Sequence, residues 1–235
     1  MAERKYFVVS EYNDTNMFVE ERTAEFKWHS GFAISQKQKS ILEFHKAIAK
    51  EYPSEEILEI SSKSINPFGV ALSAFNLMIT HKKSGNVFSV ESAFQSSKVF
   101  QYGGPYVDLL EKNSKEAKKD ERLRNSGKLI CFKFYKTTWK LEPKTSFYDW
   151  LYINAVAQND ELRKEILKYK IFTDIEFNHN KSINCQARAA ALYVSLFNVG
   201  LLKTALESLQ AYHDVISTGK HVTNSDNEQL NFFDQ

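Results

Sequence analysis

Residues 66–98 read NPFGVALSAFNLMITHKKSGNVFSVESAFQSSK, and within them the pattern passes from turn to strand to helix. NPFG is a turn signal. The two apolar runs either side of KKSGN read as a hairpin, and SVESAFQSSK at 89–98 takes up a helical period. Strand pairs and helices therefore share one short segment, which predicts a mixed fold. Outward from it, KYFVVSEY at 5–12 and ILEIS at 57–61 are rich in β-branched and aromatic residues and read as strands. Between them QKQKSILEFHKAIAKEY repeats apolar residues at Ile41, Phe44, Ile48 and Tyr52 and stops at Pro53, as a helix does. Beyond Phe100 the helical period dominates, in VDLLEKN, SKEAKKDERLRNSG, SFYDWLYINAVAQN, ELRKEILKY, INCQARAAALYVSLFNVG and LLKTALESLQAYHD. Gly127 and Gly200 stand where helix ends favour a left-handed residue. The chain after Asp214 is polar and without pattern, and is expected to be mobile. Neither an internal repeat nor a Pro/Gly/Ser-rich linker interrupts it. The expectation is one α+β domain, predominantly helical with a small antiparallel sheet: a mixed extension over 1–62 packed on a main domain over 63–212, then a polar tail over 213–235.

Composition narrows the function classes. With 235 residues, 43% of them hydrophobic, and 18 Phe and 11 Tyr, the chain can bury a real core. Its first residues, MAERKYFVVSEYND, lack the apolar centre of a secretory signal, and ARAAALYVSLFNVGLL is broken by Arg188 and Asn198 and too short to span a bilayer, so a cytoplasmic protein is expected. Cys131 and Cys185, the two cysteines, lack metal or redox spacing, and the six histidines are scattered; neither a metal nor another cofactor is expected. Charge is uneven. Residues 1–62 hold 8 Lys and Arg against 11 Asp and Glu, whereas 112–144 hold 11 against 4. That basic stretch suits a phosphate backbone, and equally suits a solvated surface.

The stretch at 89–98 carries the chemistry. Ser89 precedes the periodic run as an N-cap should. At about 100° per residue, Val90, Ala93, Phe94 and Ser97 share a face, while Glu91, Gln95 and Lys98, spaced i, i+4, i+7, form a stripe about 60° wide along its border. An ordinary surface helix fits this pattern, with Glu91 favoured by the helix dipole, Gln95 solvated and Lys98 snorkelling. Catalysis would require more of it: a lysine desolvated enough to be a neutral nucleophile, with a carboxyl within a turn or two to move protons.

SVESAFQSSK resembles the motif of NADAR domains, in which a Ser/Thr-x-Glu turn into a helix is followed by Gln four residues and Lys seven residues after the Glu. LSAF at 72–75 is similar to the family's F/L-S-N-F element, SKEAKK to its basic helix, and KSINCQARAAALYVSL to its C-terminal helix. Together these pieces span about residues 66–202. The N-terminal segments FKWHSGFAISQKQKSI and NPFGVALSAFNL resemble the branch of NADAR antitoxins associated with DarT-type DNA ADP-ribosyltransferase toxins. The resemblance implies a YbiA-like NADAR fold and an N-glycosidase that removes ADP-ribose from guanine bases in DNA. ADP-ribosylated DNA would be its substrate, ADP-ribose its product, and the toxin a genetic and possible physical partner; no membrane is implied. In that reading Glu91 transfers protons, and Lys98 attacks the anomeric carbon to form an imine that water hydrolyses. Direct attack by water, led by Glu91, remains the alternative.

The resemblance also points to a wider set of ligand contacts. Asn66, Gly69, Ser73 and Phe75 lie where backbone N–H groups and a ring could hold a diphosphate and stack a base; Phe75 fits a core position equally. Gln95 belongs to the motif stripe. Trp139 falls near a family tryptophan if one residue is gapped, whereas Tyr148 and Trp150 read as core. Asn184 aligns with the asparagine of the C-terminal motif. Arg188, on an otherwise apolar helix, needs a phosphate or a carboxylate, and capping or a structural ion pair serves both residues equally well. Cys185 reads as a small buried hydrophobe. Two departures bear on substrate scope: Ala74 replaces the Asn of the S-N-F element, and FTDIEFNHNKS stands where a glycine-rich W-G-x-G segment is common. Two further functions stay open, a small-molecule N-glycosidase acting on riboflavin-pathway intermediates or ADP-ribose derivatives, and a noncatalytic module that binds ADP-ribose or the toxin.

Overall fold

The computed structural model describes residues 1–10, 18–179 and 182–218. The N-terminal part forms β1 (Ala2–Val9), β2 (Val19–Phe26), α1 (Ile34–Ile48) and β3 (Ile57–Glu59). The motif segment follows as α2 (Pro67–Ala71), β4 (Met78–Thr80), β5 (Val87–Ser89), α3 (Val90–Ser96) and β6 (Lys98–Phe100). A 3-10 turn (Val107–Glu111), α4 (Ser114–Lys119), α5 (Arg122–Asn125), β7 (Leu129–Phe134) and β8 (Thr137–Trp139) come next. The remainder is α6 (Ser146–Ala157), α7 (Asp160–Ile166), β9 (Ile171–Thr173), α8 (Gln186–Asn198), α9 (Leu202–Glu207) and α10 (Leu209–Thr218).

The fold is α+β, and among the described residues the strands form three small sheets. The largest has the order β2-β1-β9-β3, antiparallel except for the parallel pair β3 and β9. One face buries Tyr6, Phe26, Ile171 and Ile175 against Ile41, Phe44 and Ile48 of α1, the periodic residues read from the sequence. The other face, with Phe7, Val9, Leu58 and Phe172, joins the main core. There α6 is buried along nearly its whole length, and the alanines of α8, Ala187 and Ala189 to Ala191, have side chains small enough for close approach of helix to helix. β9 comes from the C-terminal half, so residues 1–62 share a sheet with the main body.

Several elements differ from the sequence expectation. The helix read at 89–98 ends at Ser96, and Lys98 instead opens β6, paired with Phe132 of β7. VDLLEKN forms a 3-10 turn. SKEAKKDERLRNSG breaks at Asp120, whose backbone turns out of the helix while its carboxylate takes Lys112 and Arg122. LLKTALESLQAYHD breaks at Ser208, which is extended. β2 went unread because VEERTAEF is a charged outer strand, and β6 to β9 because each is short or lies among helical signals. The 78–80 and 87–89 hairpin and the left-handed Gly127 and Gly200 match the expectation. α10 runs to Thr218, past Asp214, with Val215 buried; the rest of the expected tail lies outside the described residues, as do Glu11 and Tyr12 of the expected first strand.

Gly69 marks a close approach between the N-terminal sheet and the motif segment. A Cβ there would overlap the Glu59 carbonyl oxygen and the Ser64 hydroxyl. Gly69→Ala is therefore expected to destabilise the protein by about 1–3 kcal/mol, the usual range for overpacking. Urea unfolding measures this, and a change near zero would mean that α2 is free to shift.

Candidate active site

The hairpin delivers α3 into the core with its cap already made. Ser89 Oγ accepts from Ser92 N at 3.0 Å, so the last residue of β5 closes the first turn of α3. All seven residues of α3 are buried, Glu91 and Gln95 included, at 5% and 6% exposure. The acid and the amide of the polar stripe are thus inside the protein, and Lys98 is half-buried.

The preceding LSAF segment is held through its backbone. Tyr152 donates its hydroxyl to Leu72 O at 2.8 Å, Glu91 N donates to Ala74 O at 2.9 Å, and Ala74 N donates to Gln186 Oε1 at 2.8 Å. The Gln186 amide nitrogen donates in turn to Ile60 O at 2.7 Å. Ser114 Oγ of α4 lies 2.7 Å from both Phe75 O and Ser89 Oγ. These bonds fix α4, LSAF and the start of α3 as one unit.

Within that frame, Gln95 joins the acid to the amine. Its Nε2 donates to Glu91 Oε1 at 2.8 Å, and Lys98 Nζ donates to its Oε1 at 2.7 Å. Lys98 Nζ also stands 4.8 Å from the centre of the Phe94 ring. Burial draws the Lys98 ammonium down to about 8, with Glu91 opposing and Lys118 reinforcing the shift. On the far side of Glu91, Lys118 Nζ is 3.6 Å from Oε1 and 4.9 Å above the Phe75 ring.

These groups line a cavity of about 710 Å³, within the size range of small-molecule sites. Glu91, Gln95, Lys98, Ser73, Phe75 and Asn184, all singled out from the sequence, meet there. Four groups that the sequence reading did not single out join them: Lys118 and Lys115 from α4, Asp174 after β9, and Gln186 of α8. Tyr148, read as core, lines the same wall and meets Phe94 edge-to-face at 5.2 Å; burial, then Glu91, pushes its phenol well up. Asp174 accepts from Glu176 N and Phe177 N at 3.0 and 3.2 Å. Burial, and next the neighbouring Glu59 carboxyl, hold it above the ordinary carboxylate range. Glu59 itself is buried and raised; it accepts from Thr173 Oγ1 and Ile175 N. The i, i+3 spacing of Lys115 and Lys118, either side of the buried Ala117, is the one sequence signal that could have picked out the α4 pair. Nothing local marks Asp174.

The other candidates stand elsewhere, each with a structural partner. Asn66 caps α2, accepting from Phe68 N at 2.9 Å and donating to Tyr169 OH at 3.0 Å. Gly69 packs under Glu59. Trp139 is 2% exposed among Phe147, Trp150 and Tyr212. Arg188 lines a separate cavity of about 530 Å³ and is paired with Asp149, with Glu21 at 3.5 Å and Thr145 Oγ1 at 3.3 Å. Its charge is answered within the protein. Cys185 is buried, its thiol pushed up by burial. Among the described residues, no cluster of three or more His, Cys, Asp or Glu could hold a metal ion, and no helix is long and apolar enough to cross a membrane.

Compared with known families, residues 2–226 match the model of the DarT1-associated NADAR antitoxins. A search of curated proteins finds no match.

The Arg188 pair has a consequence for stability. Asp149 is 2% exposed, and burial raises its carboxyl while Arg188 lowers it. Arg188→Met should destabilise by about 3 kcal/mol, at the low end for a broken buried pair because Arg188 keeps some solvent access. The double variant with Asp149→Leu should recover much of that loss. Equal losses in single and double variants, measured by urea unfolding, would mean that the pair is not coupled.

Proposed function

The chain belongs to the DarT1-associated NADAR antitoxins, and from that premise we propose that it is an N-glycosidase that removes ADP-ribose from guanine bases in DNA, undoing the partner toxin's modification. The observation that carries this reading is the row of buried Glu91, buried Gln95 and half-buried Lys98 on one cavity wall, with the amine drawn down to about 8. An ordinary surface lysine would be a poor nucleophile at neutral pH; at a value near 8, roughly a tenth of Lys98 is neutral at pH 7.

The substrate reading follows from the walls. Phe75, Phe94, Phe177 and Tyr148 supply ring and edge surface for a base or ribose, and Lys63 and Lys115 supply positive charge for phosphates. Lys98 Nζ attacks C1″ of the ribose as the bond from C1″ to the guanine nitrogen breaks. The bonding pair leaves with the base, which a proton from solvent completes. Glu91 takes a proton from the new secondary ammonium and returns it to the ring oxygen as the ribose opens to the imine. Water then adds to C1″ as Glu91 takes its proton and passes it to Nζ; the bond from C1″ to Nζ breaks as the new hydroxyl gives up its proton to become the carbonyl, and ADP-ribose and free Lys98 result.

The test is mass analysis of a guanine-ADP-ribosylated oligonucleotide after incubation with the purified protein. Released ADP-ribose and restored guanine are expected from the wild type. Glu91→Gln and Lys98→Ala should each lose about 10²-fold or more in rate, and kcat/KM should rise with pH through about 8 as Lys98 loses its proton. Retained protection of toxin-expressing cells by both folded variants would show neutralisation by binding instead. Raising salt from about 50 to 200 mM should slow turnover of the oligonucleotide about tenfold if backbone phosphates engage the basic residues of 112–144. Salt-independent turnover would favour a small-molecule substrate.

A further inference from the structure

Glu91 lies between two amines and can pair closely with one. We propose that Lys118 is a positioning residue: it serves as the counterion of Glu91 and so leaves Lys98 free to stand as an uncharged amine. The proposal rests on the reading of Lys98 as nucleophile and explains how that lysine can keep an acid close by without being held protonated by it.

The contacts are unequal. Glu91 Oε1 is 3.6 Å from Lys118 Nζ with nothing interposed, whereas Lys98 Nζ reaches the neutral Gln95 oxygen, and the Gln95 amide nitrogen faces Glu91. Solvation decides which amine carries the charge. The Lys118 side chain is 56% exposed, so its ammonium keeps much of its hydration. Lys98 lies in the cavity wall against Phe94 and loses it. With both amines protonated, one carboxylate would face two positive charges in a partly dry site. With Lys118 charged and Lys98 neutral, the three groups sum to zero.

Lys118 is also held in place. Its ammonium rides on the Phe75 ring, and α4 is tied through Ser114 to Phe75 O and to Ser89, the cap of the helix that carries Glu91. The other charged or titratable groups facing the cavity fit the same arrangement. Lys115 and Lys63 add positive charge at the rim, and Lys63 is hydrogen bonded to Ser62 Oγ at 3.0 Å. The Tyr148 phenol is kept protonated by burial. Asp174 is held above the ordinary carboxylate range by burial, and Glu176 lies in the exposed turn beyond it. Burial is the largest influence drawing Lys98 down to about 8, and Lys118 acts in the same direction.

The test is competitive acetylation with acetic anhydride from about pH 6 to 10, read by mass spectrometry on the peptide that carries Lys98. The Lys118 side chain is 56% exposed, so a glutamine is accommodated there without a clash. Lys118→Gln should raise the labelling midpoint of Lys98 by about one pH unit, leaving roughly tenfold less neutral amine at pH 7. The acid limb of kcat/KM should move with it. Lys118→Arg should restore both, and Lys115→Gln should shift them less. An unchanged midpoint in Lys118→Gln overturns the proposal, and if KM alone rises Lys118 is a substrate phosphate contact. An equal shift from Lys115→Gln also overturns it, since the effect would then belong to the general positive field. If the midpoint moves as expected while Lys98→Ala still releases ADP-ribose, the nucleophile reading fails and the charge assignment stands.

Discussion

A carboxylate and an amine buried side by side would ordinarily make an ion pair, and the amine would then stay protonated. Here an amide stands between them. Gln95 accepts from Lys98 through its oxygen and donates to Glu91 through its nitrogen. An amide oxygen accepts a hydrogen bond from a neutral amine as well as from an ammonium, so this contact holds Lys98 in place with far less bias towards the charged form than a carboxylate would impose. Desolvation in the cavity wall then sets the balance, and Lys98 is drawn towards neutrality.

The rest of the structure serves that arrangement. Hairpin, helix and strand follow one another without a loop between β5, α3 and β6, so Glu91 and Gln95 come from a helix and Lys98 from the strand after it. The strand is pinned by β7, and the helix by its Ser89 cap and by Glu91 N to Ala74 O. The rest of the lining comes from elements distant in sequence, α6 with Tyr148 and the stretch from β9 to α8 with Asp174 and Gln186. Parallel pairing of β3 with β9 brings Glu59 and Asp174 close, two carboxyls that both rise because both are buried.

Much of this was legible in the residues, and the remainder failed for identifiable reasons. Strong periods were read correctly: α1 from Ile41, Phe44 and Ile48, the hairpin from KKSGN, the end of α5 from Gly127. The motif brought Glu91, Gln95, Lys98, Ser73, Phe75 and Asn184 to one cavity. Period alone could not say that α3 is buried on every side, because a polar stripe looks the same whether it meets water or a cavity. Nor could it see the break before Lys98, where strand pairing with Phe132 overrides the helical spacing. Asn66 and Arg188 carry chemistry suited to a ligand, but Tyr169 and Asp149 satisfy them, and those partners are 103 and 39 residues away in sequence. Lys118 was hidden within a run of like charges, since its role depends on a contact with Glu91 that only the packing of α3 on α4 creates.

The most direct test of Lys98 as nucleophile is borohydride reduction during turnover of ADP-ribosylated DNA, followed by peptide mapping. The account predicts ADP-ribose fixed covalently to Lys98, with no such adduct in Lys98→Ala. Undiminished release of ADP-ribose with no trapped adduct at Lys98 would contradict it and leave attack by water as the chemistry.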